Sequence, residues 1–348
     1  MGQDHDNLRK LANTVRTLSI DAVQKANSGH PGLPLGAADF TSVLWANYLR
    51  CNPRDPAWIN RDRFVLSAGH GCMLLYSLLH LFGYDLPLSQ IQAFRQWESQ
   101  TPGHPEYGFT AGVECTTGPL GQGAANSVGL ALSGKMLAAR YGADLFNYRV
   151  FSLVSDGDLM EGVAAEAGSL AGHMRLNNLV YLYDDNKISL AGETEICFTE
   201  SVAQRYESYG WYVQSCDGHD TKAVAECLDR ALAQKDRPSL ICCKTVLGYG
   251  SPNKKNTHEA HGAPLGADEV RATKRELGVP EDGDFLVSDE VKSYIASLVE
   301  RKHTEYAAWQ GSYAAWRKAK PELAASLDAQ LERRIPQELK GALLETFK

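Results

Sequence analysis

No two of the eight cysteines in this 348-residue chain are spaced as CxxC. Cys51, Cys72, Cys115, Cys197, Cys216, Cys227 and the adjacent Cys242 and Cys243 are scattered, several of them inside apolar strand or helix patterns. That spacing excludes a zinc site built on CxxC and argues against a disulfide framework; buried, reduced thiols and a cytoplasmic protein are expected. Long apolar runs are also missing. None approaches the roughly 18–20 residues of a membrane span, and Met1 to Lys10 is too polar for a signal peptide. Positive charge is in deficit: 35 Lys and Arg against 42 Asp and Glu leave a formal charge of −7. Nothing in that balance supports binding to nucleic acid or to an anionic membrane. Internal repeats and low-complexity segments are absent as well. The remainder is 44% hydrophobic and 22% charged, ordinary for a globular protein and long enough for one large α/β domain or two smaller ones.

Periodicity supplies the elements. Asn7–Asn27 reads as an amphipathic helix, ended by SGHPGLPLG, with a second helix over Ala37–Tyr48. Phe64–Leu66 is a short strand that leads through SAGHG into a buried helix. Gln100 to Gln122 is a long loop rich in Gly, Pro and Thr, of the kind that carries function in compact domains. A small-residue helix follows over Ala124–Tyr141. Strands are expected at Tyr148–Val154, Leu179–Tyr183, Trp211–Ser215 and Ser239–Val246, and helices at Leu159–Met174, near Thr199–Tyr209 and at Thr221–Ala233. Gly248–Gly266 is a second long loop. From about Asp289 to Phe347 the chain is helical, charged and broken by Pro321 and Pro336, with Tyr306, Trp309, Tyr313 and Trp316 forming a packing stripe. The fold class is therefore α/β, a doubly wound, mostly parallel sheet flanked by helices. Residues 1–285 form the main domain and 286–348 a helical C-terminal extension packing on it.

The most informative stretch is Ser155–Leu190. Asp156 sits in a glycine turn after one strand, and Asn186 follows the next strand of the same βαβ unit. Ligands of parallel sheets collect at the carboxyl ends of strands. Mg²⁺ takes roughly six oxygens, one or two from carboxylates and others from phosphate. Asp156 offers a carboxylate oxygen, Asn186 an amide oxygen and Ile188 its carbonyl, while the backbone N–H groups of the turn can approach a diphosphate as a helix begins. The competing reading is structural, because Asp-Gly is a common turn and Asp-Asn a common loop.

Five of the ten histidines lie in Gly- or Pro-rich loops: His30, His70, His104, His258 and His261. Each can bind phosphate or a sugar hydroxyl and relay protons near neutral pH, or can simply cap its own loop. His258 and His261 have neither nearby cysteines nor the HExxH spacing of a zinc site.

The segments SGHPG, RDRFVLSAGHG, TPGHPE, TTGPLGQG, SDGDLMEG, YDDNKIS and GSPNKKNTHEAHGAPLG stand in this order in the chain. Together they resemble transketolases, in the N-terminal half that binds the diphosphate of thiamine diphosphate, over roughly residues 7 to 335. The resemblance implies the thiamine-diphosphate-binding fold. It implies Asp156, Asn186 and the Ile188 carbonyl as ligands of Mg²⁺ (or Ca²⁺), and His70, Gly157 and His261 at the diphosphate. Gly118 and Leu120 would wall the aminopyrimidine. His30, His104 and His261 would line the channel for sugar hydroxyls, with His258 close by, and Glu161 would link two active sites across a dimer interface. Ser155 stands where the family usually has glycine and Cys115 where it usually has threonine. A small local effect is expected at Ser155, since serine is tolerated there unless φ is positive.

The family continues into a pyrimidine-binding domain, whose glutamate protonates the aminopyrimidine ring. The resemblance therefore implies an N-terminal subunit of a split transketolase, inactive alone. Its partner would be a C-terminal subunit, in an α2β2 heterotetramer moving a two-carbon ketol unit between sugar phosphates. Two alternatives stand beside it: the α subunit of another thiamine-diphosphate enzyme such as a 2-oxo-acid dehydrogenase, and a non-catalytic thiamine-diphosphate-binding protein or a domain cut from a longer chain. The sugar-type histidine motifs argue against the first.

Overall fold

The computed structural model describes residues 2–335 and 337–346. Pro336 and the end of the helix expected to reach Phe347 lie outside the described residues. The strands, in chain order, are β1 (Arg63–Leu66), β2 (Val150–Ser155), β3 (Leu179–Asp185), a small hairpin of β4 (Ile188–Ser189) and β5 (Gly192–Glu193), β6 (Tyr212–Asp217) and β7 (Ser239–Lys244). The helices begin with α1 (Gly2–Ala26), α2 (Gly32–Val43), α3 (Cys72–Leu81), α4 (Leu88–Gln92), α5 (Gln122–Tyr141) and α6 (Asp156–Met160). They continue with α7 (Gly162–His173), α8 (Val202–Ser208), α9 (Thr221–Leu232), α10 (Ala267–Glu276), α11 (Asp289–Ala319), α12 (Pro321–Leu331) and α13 (Leu339–Thr346).

Among the described residues the main sheet has the order β1-β2-β3-β7-β6, and each neighbouring pair is parallel. A strand's side chains alternate between faces, and the two faces bury different helices. Phe151, Leu153, Val180, Leu182, Ile241 and Cys243 pack with α1, α2, α3 and α9. Val150, Val154, Leu179, Tyr181, Tyr183, Leu240 and Cys242 pack with α5, α7 and α8. A sheet covered on both faces explains why its strands read as continuous apolar runs.

The expected elements are present, with informative differences. Helix α2 starts at Gly32 rather than Ala37. Pro34 falls in its first turn, where a missing N–H costs nothing. The run expected as one helix over Leu159–Met174 is two helices, α6 and α7, separated at Glu161, whose ψ of 138° is extended. Short helices α4 and α10 occupy stretches with no expected element. The C-terminal helical region divides into α11, α12 and α13, and Val291, Ile295 and Leu298 of α11 join the core cluster beneath the sheet. Its aromatic stripe is a packing face: Trp309 and Tyr313 stack at 4.8 Å, and Trp309 Nε1–H donates to the Leu145 carbonyl at 2.8 Å. All eight cysteines are free thiols; five are buried, but Cys115 and Cys216 are half-buried and Cys197 is exposed, where buried thiols were expected.

Candidate active site

Strand register brings the two halves of the Ser155–Leu190 stretch together. Ser155 pairs with Asp184 across β2 and β3, and neighbouring strands run about 4.8 Å apart. Asp156 and Asn186 therefore leave adjacent strand ends on the same edge of the sheet. Asp156 is 4% exposed. Its Oδ1 accepts from the Tyr183 hydroxyl, while its Oδ2 is buried with no hydrogen-bond partner among the described residues. Burial pushes the carboxyl up from its usual range, against the pull of Tyr183 and Lys187. A buried acceptor without a donor is costly unless something positive meets it.

The turn carrying Asp156 is organised by a residue that the sequence reading passed over. Asp158 is fully buried and closes a capping box with Ser155, which has φ −117° and ψ 174°. Its Oδ2 accepts from Ser155 N at 2.9 Å and from Ser155 Oγ at 3.0 Å. Its Oδ1 accepts from Ser67 Oγ at 2.7 Å and from Gly121 N at 2.9 Å. One carboxylate thus ties the ends of β1 and β2 to the TTGPLGQG loop. Ser155 is in extended backbone, so a serine there is unstrained, and its hydroxyl serves as the helix cap. Capping box geometry is legible as S-x-x-D, the one signal that could have singled out Asp158.

On the β3 side, Asn186 Oδ1 accepts from Ile188 N at 2.9 Å, folding the segment into β4. Asn186 Nδ2 donates to Asp184 Oδ2 at 2.9 Å. The amide oxygen keeps a second lone pair. Asp184 is fully buried, and burial pushes it up to about 6 although Thr245 and Asn186 both donate to it. Lys187 lies in the left-handed region at φ +64°, and its ammonium pairs with Asp185 at 2.5 Å. The oxygens offered by Asp156, Asn186 and Ile188 form a set suited to a hard divalent cation.

The glycine-rich loop closes over this turn. Leu120 reaches within 2.9 Å of where a Cβ on Gly157 would stand. Gly118 has φ +146°, and a Cβ there would meet the His104 ring at 3.2 Å, so glycine permits both the backbone and the close approach. Glu161 is exposed at the break between α6 and α7. Cys115 is half-buried, with burial pushing its thiol up.

Three of the loop histidines gather into one cluster. The His30 and His70 ring centroids are 5.1 Å apart, His30 and His261 5.7 Å, and His70 and His261 5.2 Å. His104 lies close enough to hold the His30 and His70 values down. Desolvation, then the neighbouring His261, Arg95 and His104, lower His30 to about 4. Desolvation also lowers His70, His104 and His261. Arg95 Nη2 faces His30 Nδ1 at 3.5 Å, which leaves the proton of the neutral ring on Nε2. His261 Nδ1 is buried without a partner among the described residues. His258 is not brought into the cluster. It is exposed on the turn His258–Ala260 and meets His261 through its backbone carbonyl, at 3.0 Å.

Residues 7–336 match the family model described as transketolase, thiamine diphosphate binding domain. The transketolase of Geobacillus stearothermophilus is 51% identical over 335 residues, covering 95% of this chain and 50% of its own. Among solved structures, the transketolase from Leishmania mexicana superposes with a TM-score of 0.93 at 41% identity, over 95% of this chain and 50% of its own. The Pichia stipitis transketolase in complex with sedoheptulose-7-phosphate superposes with a TM-score of 0.92 at 44% identity, over 95% and 49%. The chain spans about half the length of the curated relatives it matches. These matches favour a transketolase over the α subunit of a 2-oxo-acid dehydrogenase.

Proposed function

The chain belongs to the transketolase family, and on that premise we propose that it is the N-terminal, diphosphate-binding half of a ketol transferase completed by a second polypeptide. One observation carries the reading: the buried Asp156 Oδ2 without a donor among the described residues, at a strand end next to the one that leads to Asn186, in a turn whose backbone opens a helix. That geometry fits a Mg²⁺ or Ca²⁺ ion bridging the protein to a diphosphate. Asp156, Asn186 and the Ile188 carbonyl would hold the ion. Gly157 and His70 would meet the diphosphate, and Gly118 and Leu120 the aminopyrimidine. The 286–348 segment would then be an extension of the 1–285 domain, held to it through α11 and α12. The free thiols accord with a cytoplasmic location.

Thiamine diphosphate, when bound, supplies the carbon nucleophile and electron sink needed to cleave a ketose beside its carbonyl. The chain's own residues do the rest on this side of the site. His30, His104 and His261 stay uncharged at neutral pH because burial disfavours their protonated forms. Neutral imidazoles bind sugar hydroxyls without placing positive charge in the channel, and His30 offers its Nε2–H as a donor. His261, with Nδ1 unpartnered, can accept a hydroxyl proton. The exposed position of His258 suits a rim contact rather than a proton relay. Glu161, at an exposed helix break, would meet a second copy across the dimer interface.

The group that protonates the aminopyrimidine would come from a C-terminal, pyrimidine-domain subunit in an α2β2 assembly. Most contacts to the phosphate end of the sugar would also come from that subunit. Mixing this chain with such a polypeptide, thiamine diphosphate and Mg²⁺ should give ketol transfer from a ketose phosphate, with neither polypeptide active alone. Correctly folded, cofactor-loaded mixtures without turnover would overturn the reading.

A further inference from the structure

Asn186 can present either its oxygen or its nitrogen to the loop, and only the oxygen can bind a cation. The Ile188 N–H donates to the oxygen at 2.9 Å, and a pair of side chains behind the amide holds the nitrogen. Asp184 Oδ2 accepts from Asn186 Nδ2 at 2.9 Å, and Asp184 Oδ1 accepts from the Thr245 hydroxyl at the end of β7. An ionised carboxylate is acceptor-only, so a flipped Asn186 would set its oxygen against another oxygen. Thr245 is itself held in place. A Cβ on Gly218, at the end of β6, would meet the Thr245 methyl at 2.7 Å, so the glycine lets β6 press that methyl while the hydroxyl turns to Asp184. Gly218 N donates to the Lys244 carbonyl at 2.8 Å, fixing the approach.

We infer that Asp184 and Thr245 are positioning residues that lock the Asn186 amide with Oδ1 toward the cation site. The inference rests on the cation reading given above. Outer partners of a ligand typically change metal affinity about 10–100-fold when removed. Asp184→Asn breaks the lock without leaving a hole. An amide at this position can offer either its oxygen or its nitrogen to Asn186, so a flip no longer meets a like atom there and only the Ile188 N–H, which donates to Asn186 Oδ1, still opposes it. Thr245→Val frees Asp184 to rotate while keeping its charge, and Thr245→Ser keeps the hydroxyl.

The experiment measures Mn²⁺ affinity by electron paramagnetic resonance, with the full chain and saturating thiamine diphosphate, alongside the unfolding midpoint without metal. Asp184→Asn is expected to weaken Mn²⁺ about 10–100-fold. Thr245→Val should weaken it several-fold, and Thr245→Ser should restore it, with metal-free midpoints unchanged. Both Asp184→Asn and Thr245→Val binding within twofold of the parent would overturn the lock. So would loss in Asp184→Asn alone, which would report only the missing charge. Asp156→Ala separates the two levels of inference. If the parent binds no Mn²⁺ that Asp156→Ala abolishes, the cation reading itself fails and the lock falls with it.

Discussion

The two ends of the candidate site are built on opposite plans. At the carboxylate end, Asp158 accepts four hydrogen bonds and Asp184 two, and the loops that carry Asp156 and Asn186 are tied to neighbouring strands before any ligand arrives. At the histidine end, rings contact one another at 5.1 to 5.7 Å, and one ring nitrogen is buried with nothing to bond. Burial moves both sets toward the uncharged form, carboxyls upward and imidazoles downward. The difference is in what satisfies them. Among the described residues the first end is hydrogen-bonded internally except at Asp156 Oδ2, the acceptor that the proposed cation would meet. The second packs neutral rings against one another and leaves His261 Nδ1 without a hydrogen-bond partner among the described residues.

That contrast can be broken most forcefully at Asp156. Asp156→Ala should weaken Mg²⁺-dependent thiamine diphosphate binding by more than about a hundredfold, since even outer partners of a ligand cost about 10–100-fold. Calorimetry showing unchanged binding would move the cation elsewhere. Asp158→Ala strikes the scaffold instead. It strands buried donors on Ser67, Gly121 and Ser155 and should cost about 3 kcal/mol in urea unfolding. A loss under about 1 kcal/mol would mean that the turn holds without its carboxylate.

Smaller effects sharpen the histidine end. In the assembled enzyme, His261→Ala should lower kcat/KM about tenfold, the worth of one hydrogen bond, and His258→Ala less than about threefold on the same scale. The reverse ranking would place the functional ring outside the cluster. The finest test is the titration of His30, expected near pH 4 in ring-proton NMR against its ordinary 6.5. Because the unfolded chain takes that proton first, the stability His30 contributes is full above pH 6.5 and drains as the pH falls toward about 4. Asp184, raised to about 6, acts in the opposite sense: its native carboxyl is protonated first, so it adds stability as the pH falls below 6. A residue-resolved titration separates the two where a global unfolding curve would blend them. A His30 midpoint near 6.5 would show that the cluster is open to water.

Much of this architecture is legible in the chain because its signals are local. Apolar runs mark the strands, and a ligand loop after each of two consecutive strands places Asp156 and Asn186 on one edge. What stayed hidden depends on distance. Asp158 matters through Ser67, 91 residues away, and Gly121, 37 residues away. Asp184 reads as a strand residue until Thr245, 61 residues on, turns its hydroxyl to it. Helix α10, ADEVRATKRE, has too few apolar positions for a period, and α4 is barely a turn. The break at Glu161 is invisible because no proline marks it and the small and apolar residues run on across it, so that only Glu161's extended backbone separates the two helices.

If the diphosphate end lies within this chain and the thiamine head is completed elsewhere, pyrophosphate should bind nearly as well as the whole cofactor. Calorimetric titration of the chain alone with Mg²⁺ and inorganic pyrophosphate, set against Mg²⁺ and thiamine diphosphate, tests it directly. The account predicts dissociation constants within about tenfold of each other, roughly 1.4 kcal/mol. Tight thiamine diphosphate binding with no measurable pyrophosphate binding would contradict it, because the head would then be held by this chain after all.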